Sequence, residues 1–265
     1  MNIFSQELKM SAASMIYWTA SIVLFVLLFM FMYPPISKDI QVIESILSNF
    51  PPELRRALGM TTLDLSQVLG FYGFLFIYIL LIGSVYAMKS GISVLSEEIR
   101  SKTADFLLVK PVPRTRIVSA KILSILSNLI VQNLLFMFIS YIIISSYVNG
   151  SLDTRTFILI NLSLFQVQLF FAAVGLFLSV LIKKIKTVLP VSLGVVFAFF
   201  VIQMINQSLN DPKLAYITPF AYFDVSKIIQ NVGYDTSFLI INIIIIFILT
   251  ALTYIIYQKK DIPSL

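Results

Sequence analysis

The residues that could do chemistry in this chain are few. Glu97-Glu98 is a carboxylate pair, but neighbouring helical residues point about 100° apart, so the two cannot share one proton-transfer geometry. A charged solvated surface or contact with a partner is the better reading. The chain has no His and no Cys. That removes soft metal sites and His-based acid–base or triad catalysis. No Gly precedes a Lys anywhere, so there is no phosphate-binding loop and no ATP site of that type.

The remaining polar chemistry lies in amides within apolar stretches. Asn128 and Gln132 stand four residues apart; Asn161 and Gln168 share a helix face, with Gln166 off it; Gln203 and Asn206 are three apart, and Asn242 lies near the C-terminus. In a lipid setting such amides bond across helices, worth about 0.6–2 kcal/mol each, or they line a translocation path. Both readings stand on the sequence. Gly175 and Ser179 form a small-xxx-small pair suited to close helix packing.

The elements that must position these residues follow from composition. Of 265 residues, 58% are hydrophobic and 12% charged, and the mean hydropathy is +0.94. Surface area shrinks too slowly with mass for a soluble chain of this size to hide so much apolar surface. Disordered, collagen-like and disulfide-stapled classes are excluded as well. Six intervals of more than twenty residues carry no Asp, Glu, Lys or Arg: 10–37, 65–88, 122–152, 156–182, 187–210 and 236–258. A helix needs about 20 apolar residues to cross a bilayer. The expected spans lie near 15–33, 68–87, 124–146, 157–181, 188–206 and 238–257, in an all-α integral membrane protein with one membrane domain over 1–265. Continuous rather than alternating apolar runs argue against a β-barrel. The first apolar run is too long for a typical signal peptide and ends in Phe-Met-Tyr-Pro-Pro, so it reads as a retained span.

Lys and Arg set the orientation. With a cytoplasmic N-terminus, 13 of the 19 basic residues lie inside, and both termini are cytoplasmic. No basic stripe with interleaved aromatics suggests a nucleic-acid partner.

Three connections exceed simple turns. In 34–67, Pro34-Pro35 is expected to end the first span. Ile36, Ile40, Ile43, Leu47 and Phe50 then follow a helical period, and Pro51-Pro52-Glu53 opens a short helix with Gly59 at its C-cap. Two helices on the outer face are expected. In 207–236, the run from Tyr216 to Phe223 either dips toward the bilayer or forms a folded cap. In 88–121, Ile92, Leu95 and Ile99 extend the second helix beyond its span. Thr103 then reads as an N-cap with Asp105 in the first turn, and Pro111 stops a short helix that presents Phe106, Leu107 and Leu108. That helix needs a partner protein to bury it, or rests on lipid held by Lys and Arg.

The run Glu97-Glu98-Ile99-Arg100-Ser101-Lys102-Thr103-Ala104-Asp105-Phe106-Leu107-Leu108, with Lys110-Pro111-Val112-Pro113-Arg114 and Lys121, resembles the signature of bacterial type-2 ABC exporter permeases. Residues 50–59 and Pro219-Phe220-Ala221-Tyr222-Phe223 resemble outer loops of the same permeases. One departure is Ala104-Asp105, where the family commonly has Gly and then a hydrophobic or acidic residue. The resemblance implies a cell-membrane permease half that pairs with a second copy or a paralogue. It implies a separate ABC ATPase subunit that holds ATP and Mg, with no cofactor in this chain. Glu97, Glu98, Arg100, Lys102, Thr103, Asp105, Phe106 and Leu107 would then form the ATPase-coupling element. Asn128, Gln132, Asn161, Gln168, Gln203 and Asn206 are candidates for the translocation path. A secondary transporter or channel would want charges or broken helices in the membrane. A non-catalytic assembly factor is the other alternative.

Overall fold

The computed structural model describes residues 3–60, 63–100, 113–148, 150–182, 185–209 and 211–259, with the side chains of Glu44 and of 98–100 left aside. Every regular element among these residues is helical. In chain order they are α1 (Ile3–Phe31), α2 (Tyr33–Lys38), α3 (Ile40–Ser48), α4 (Pro52–Ala57), α5 (Val68–Arg100), α6 (Arg114–Ser145), α7 (Thr154–Leu181), α8 (Val188–Leu209), a 3-10 turn (Leu214–Tyr216), α9 (Pro219–Tyr222), α10 (Val225–Asn231) and α11 (Thr236–Lys259). Six of them, α1, α5, α6, α7, α8 and α11, are long and apolar enough to cross a membrane. They carry the six spans expected from the charge-free intervals.

The spans are not equivalent. The apolar windows of α5 and α7 are each 61% buried within the chain, against 11% for α11. The bundle is therefore built around α5 and α7. Two glycines explain their intimacy. A Cβ added at Gly175 would stand 2.5 Å from the Met88 carbonyl oxygen and 3.1 Å from the Gly91 Cα; one added at Gly91 would run into the Ala172 carbonyl oxygen. The two backbones touch where neither residue has a side chain, the close approach that small residues permit in lipid. Around this axis α1 packs on α6, α8 packs on α5, and α11 packs on α7. Large aromatics fill the centre: Tyr72 stacks on Phe157 at 5.7 Å, and Phe76 faces Phe136 at 6.4 Å. At the head of α7, the Asp153 carboxylate caps the helix by accepting from the Arg155 and Thr156 amides at 3.1 and 3.2 Å. The Thr156 hydroxyl, 2.6 Å away, does most to hold that carboxyl below its usual titration range.

The connection between α1 and α5 departs from expectation. Pro34-Pro35 does not end the helical path: α1 breaks only at Met32, and the prolines sit in the first turn of α2. A first turn has no use for the missing N–H, so proline is tolerated there. The apolar period also breaks at Asp39, giving three short helices where two were expected. The half-buried face of α2 and α3 is nonetheless Ile36, Ile40, Ile43 and Leu47, with Gln41, Val42 and Ser45 exposed. Helix α4 packs on α8 and ends as expected. Gly59 takes φ +73°, and the Met60 and Gly59 amides donate to the Arg55 and Arg56 carbonyls at 2.9 Å each, a paired helix stop that needs a left-handed residue.

The connection between α8 and α11 is a folded cap set among the span ends. Phe220 packs against Phe171 and Phe200, Tyr222 stacks on Phe238 at 5.3 Å, and the Tyr222 hydroxyl donates to the Tyr216 carbonyl at 2.6 Å. The Thr218 hydroxyl donates to the Phe199 carbonyl of α8 at 3.0 Å.

Candidate translocation and coupling sites

At the bundle end that carries the N-terminus, α5 continues past its charge-free stretch to Arg100 and α6 begins at Arg114. This extension is what Ile92 and Leu95 predict; both are buried. Of the expected coupling residues, Glu97 is half-buried on α5. Glu98 and Arg100 belong to the helix backbone of α5. Lys102, Thr103, Asp105, Phe106 and Leu107, and the short helix expected to carry them, lie outside the described residues.

The root of these two helices is held by one lysine. Lys121 on α6 is 1% exposed. Its ammonium donates to Glu7 Oε1 on α1 at 2.6 Å and to the Val94 carbonyl of α5 at 2.6 Å. A buried charge is tolerable only with a partner and hydrogen bonds, and Lys121 obtains a carboxylate and a carbonyl acceptor by tying three helices together. Two turns further along α6, the Asn128 amide donates to the Ser11 hydroxyl at 2.6 Å. Across the gap, the Lys89 ammonium donates to the Ser14 hydroxyl at 2.7 Å. These residues wall a cavity of about 640 Å³ between α1, α5, α6 and the start of α8, lined also by Tyr86, Glu97 and Lys186.

Deeper in the bundle the amides converge on one cluster. The Gln168 amide donates to Gln132 Oε1 at 3.1 Å and to the Gly83 carbonyl at 3.3 Å, while Asn133 donates to Gln168 Oε1 at 2.6 Å. Three helices, α5, α6 and α7, thus meet through side-chain amides. Asn161 accepts from the Tyr72 hydroxyl at 3.0 Å and donates to the Phe157 carbonyl at 2.8 Å. Gln203 is buried on α8 and lines a small cleft with Phe220 and Asp224. Asn206 is half-buried one turn on. Of the six candidate path residues, Asn128 lines the large cavity, and Gln132, Asn161 and Gln168 are engaged in bonds between or along helices. Gln132 Nε2, Asn133 Oδ1, Gln203 Oε1 and Asn242 Oδ1 are buried without a partner among the described residues, so each retains unspent hydrogen-bonding capacity.

The sequence reading missed Glu7, Ser11, Ser14 and Asn133. Glu7 and Lys121 are far apart in sequence, and no spacing rule joins them. Asn133 was adjacent to a singled-out residue and one helical step off its face.

A family model for ABC-2 family transporter proteins matches residues 1–262. The chain belongs to that family. Comparison with curated proteins finds no match. As an ABC-2 permease, the chain is the membrane component of an ABC transport system and is not a catalyst by itself. Its six apolar helices make it a multi-pass membrane protein. The amide cluster and the lysine clamp are thus features of a transport protein's membrane domain.

Proposed function

We propose that the chain forms half of the pore of an ATP-driven exporter in the cell membrane. Two permeases, identical or paralogous, make the pore, each as one membrane domain with both termini cytoplasmic. Two separate ATPase subunits, holding ATP and Mg, dock beneath. The docking element is the stretch around Thr103, Asp105, Phe106 and Leu107, flanked by Glu97, Glu98, Arg100 and Lys102. The observation that carries this reading is the clamp at Lys121. Helices α5 and α6 frame residues 101–112, and Lys121 locks α6 to α5 and to α1 at their root. A push on the connecting stretch would therefore move α1, α5 and α6 as a unit. Through the Gly91–Gly175 contact it would also reach α7. Four of the candidate path amides, Asn128, Gln132, Asn161 and Gln168, lie on this same set of helices, where a rearrangement would alter their bonding.

Phe106→Ala tests the reading. Burying a Phe side chain is worth about 1.5–3 kcal/mol, so its loss lowers ATPase affinity about ten- to a hundredfold. The charged neighbours set orientation more than affinity. Co-purification of the ATPase should fall, and transport should uncouple from hydrolysis, with the permease still inserted. Equal ATPase recovery and equal transport for wild type and variant would remove this stretch as the coupling element.

A further inference from the structure

The cavity at the N-terminal end of the bundle falls within the size range of small-molecule sites, about 300–1,000 Å³. Among the described residues, four charged side chains face it: Glu7, Glu97, Lys89 and Lys186. Glu7 is already matched by Lys121, which stands behind it at 2.6 Å. Counting Lys121, the described residues bring three lysines against two glutamates to the cavity. A single excess positive charge in a partly enclosed site attracts an anion more strongly than the same charge in bulk water. Ser90 and Ser93 add hydroxyl donors from α5, suited to the oxygens of a phosphate or carboxylate.

Ser11, Ser14, Ser124, Asn128 and Thr187 continue the polar wall, while an apolar part of it reaches the outside of the bundle. Met10 on α1 and Leu189 on α8 both line the cavity, and they are 59% and 43% exposed. In a membrane-spanning chain, apolar faces on the outside of the bundle are available to lipid. The cavity thus offers a charged inner wall and an apolar lip facing the bilayer.

We propose that this cavity binds the anionic head group, a phosphate or a carboxylate, of a single-chain amphiphile whose apolar tail passes out over Met10 and Leu189. Lys89 and Lys186 receive the head group, and access is lateral, between α1 and α8. This assignment rests on reading the chain as a permease and names the class of its cargo.

The chain supplies its own reporter. Trp18 is the single tryptophan, and its ring lies 5.9 Å from that of Tyr86, which lines the cavity. The test is a Trp18 fluorescence titration of the full chain in nanodiscs of zwitterionic phosphatidylcholine, with no ATPase present. Dodecyl phosphate should give a saturable change. Dodecyl maltoside, with the same tail and a neutral head, should give none that saturates, and inorganic phosphate should bind far more weakly than dodecyl phosphate. Lys89→Gln and, separately, Lys186→Gln should each weaken dodecyl phosphate binding about tenfold or more. The proposal is overturned if the neutral amphiphile binds equally, if inorganic phosphate binds as tightly, or if both lysine variants keep wild-type affinity. Because no ATPase enters the assay, loss of the ATPase-coupling reading would leave this result untouched, and the reverse holds as well.

Discussion

Gly175→Ala adds one methyl group at the centre of the bundle. That methyl would lie 2.5 Å from the Met88 carbonyl oxygen, 3.0 Å from the Ile92 amide nitrogen and 3.1 Å from the Gly91 Cα. All three are backbone atoms, so no side chain can swing aside. Ordinary contact starts near 3.4 Å, and α5 and α7 must separate by about 1 Å to restore it. A gap of about 0.5–1 Å already forfeits a quarter to a half of a dispersion well, and it does so along the most buried pair of helices in the chain. Overpacking of this kind costs about 1–3 kcal/mol. For a chain of this size about 2 kcal/mol corresponds to roughly 4–8 °C in Tm. Gly91→Ala should behave alike. The double variant should lose less than the sum, because one separation of the helices accommodates both methyls. Gly194→Ala on α8 is the control: nothing lies within 4 Å of its added Cβ, so its Tm should hold or rise. The assay is thermal unfolding of the purified chain in one detergent, followed by Trp18 fluorescence. If Gly175→Ala melts together with wild type and Gly194→Ala, the close α5–α7 crossing is wrong.

Two further predictions concern the base of the bundle and its orientation. Lys121→Met strands Glu7 and the Val94 carbonyl and should destabilise by about 3 kcal/mol, the low end of the range for a broken buried pair, since the Glu7 side chain keeps 19% exposure; Glu7→Gln should cost less, because an amide oxygen still accepts from Lys121, and a wild-type melt for Lys121→Met would refute the clamp. The chain has no Cys, so Ser45→Cys and Ser208→Cys should react with an impermeant thiol reagent in intact cells while Lys9→Cys and Lys259→Cys should not; labelling of Lys9→Cys from outside would overturn the proposed orientation.

The six helices that can cross a membrane were legible in the sequence because charge is what a bilayer rejects most strongly. A stretch of twenty or more apolar residues has no other stable solution than a helix whose backbone groups bond to one another. The extension of α5 to Arg100 was legible for a related reason: Ile92 and Leu95 kept the 3.6-residue period into a charged stretch. The stop at Gly59 followed from a residue that alone enters the left-handed region freely. Local rules were weaker where a residue has two local uses. Pro34-Pro35 can end one helix or begin the next, and only the chain's path beyond Met32 chose the second.

What tertiary structure alone decided are the meetings between distant residues. Gly175 was singled out as a small residue, but its partner, Gly91, became known only once α5 and α7 crossed. Gln132 and Gln168 were noted separately; that they bond to each other, with Asn133 and the Gly83 carbonyl, depends on three helices converging at one depth. Glu7 and Lys89 entered the sequence reading, at most, as charges at the ends of spans. Their place on one cavity, with Lys121 buried behind Glu7, arises because α1, α5, α6 and α8 leave a gap where their ends diverge. Hydrophobicity specifies which segments enter the membrane, since it is a sum over local residues. The neighbours of each helix are set by shape and by polar pairing across the bundle, and those are properties of two segments at once, invisible in either one alone.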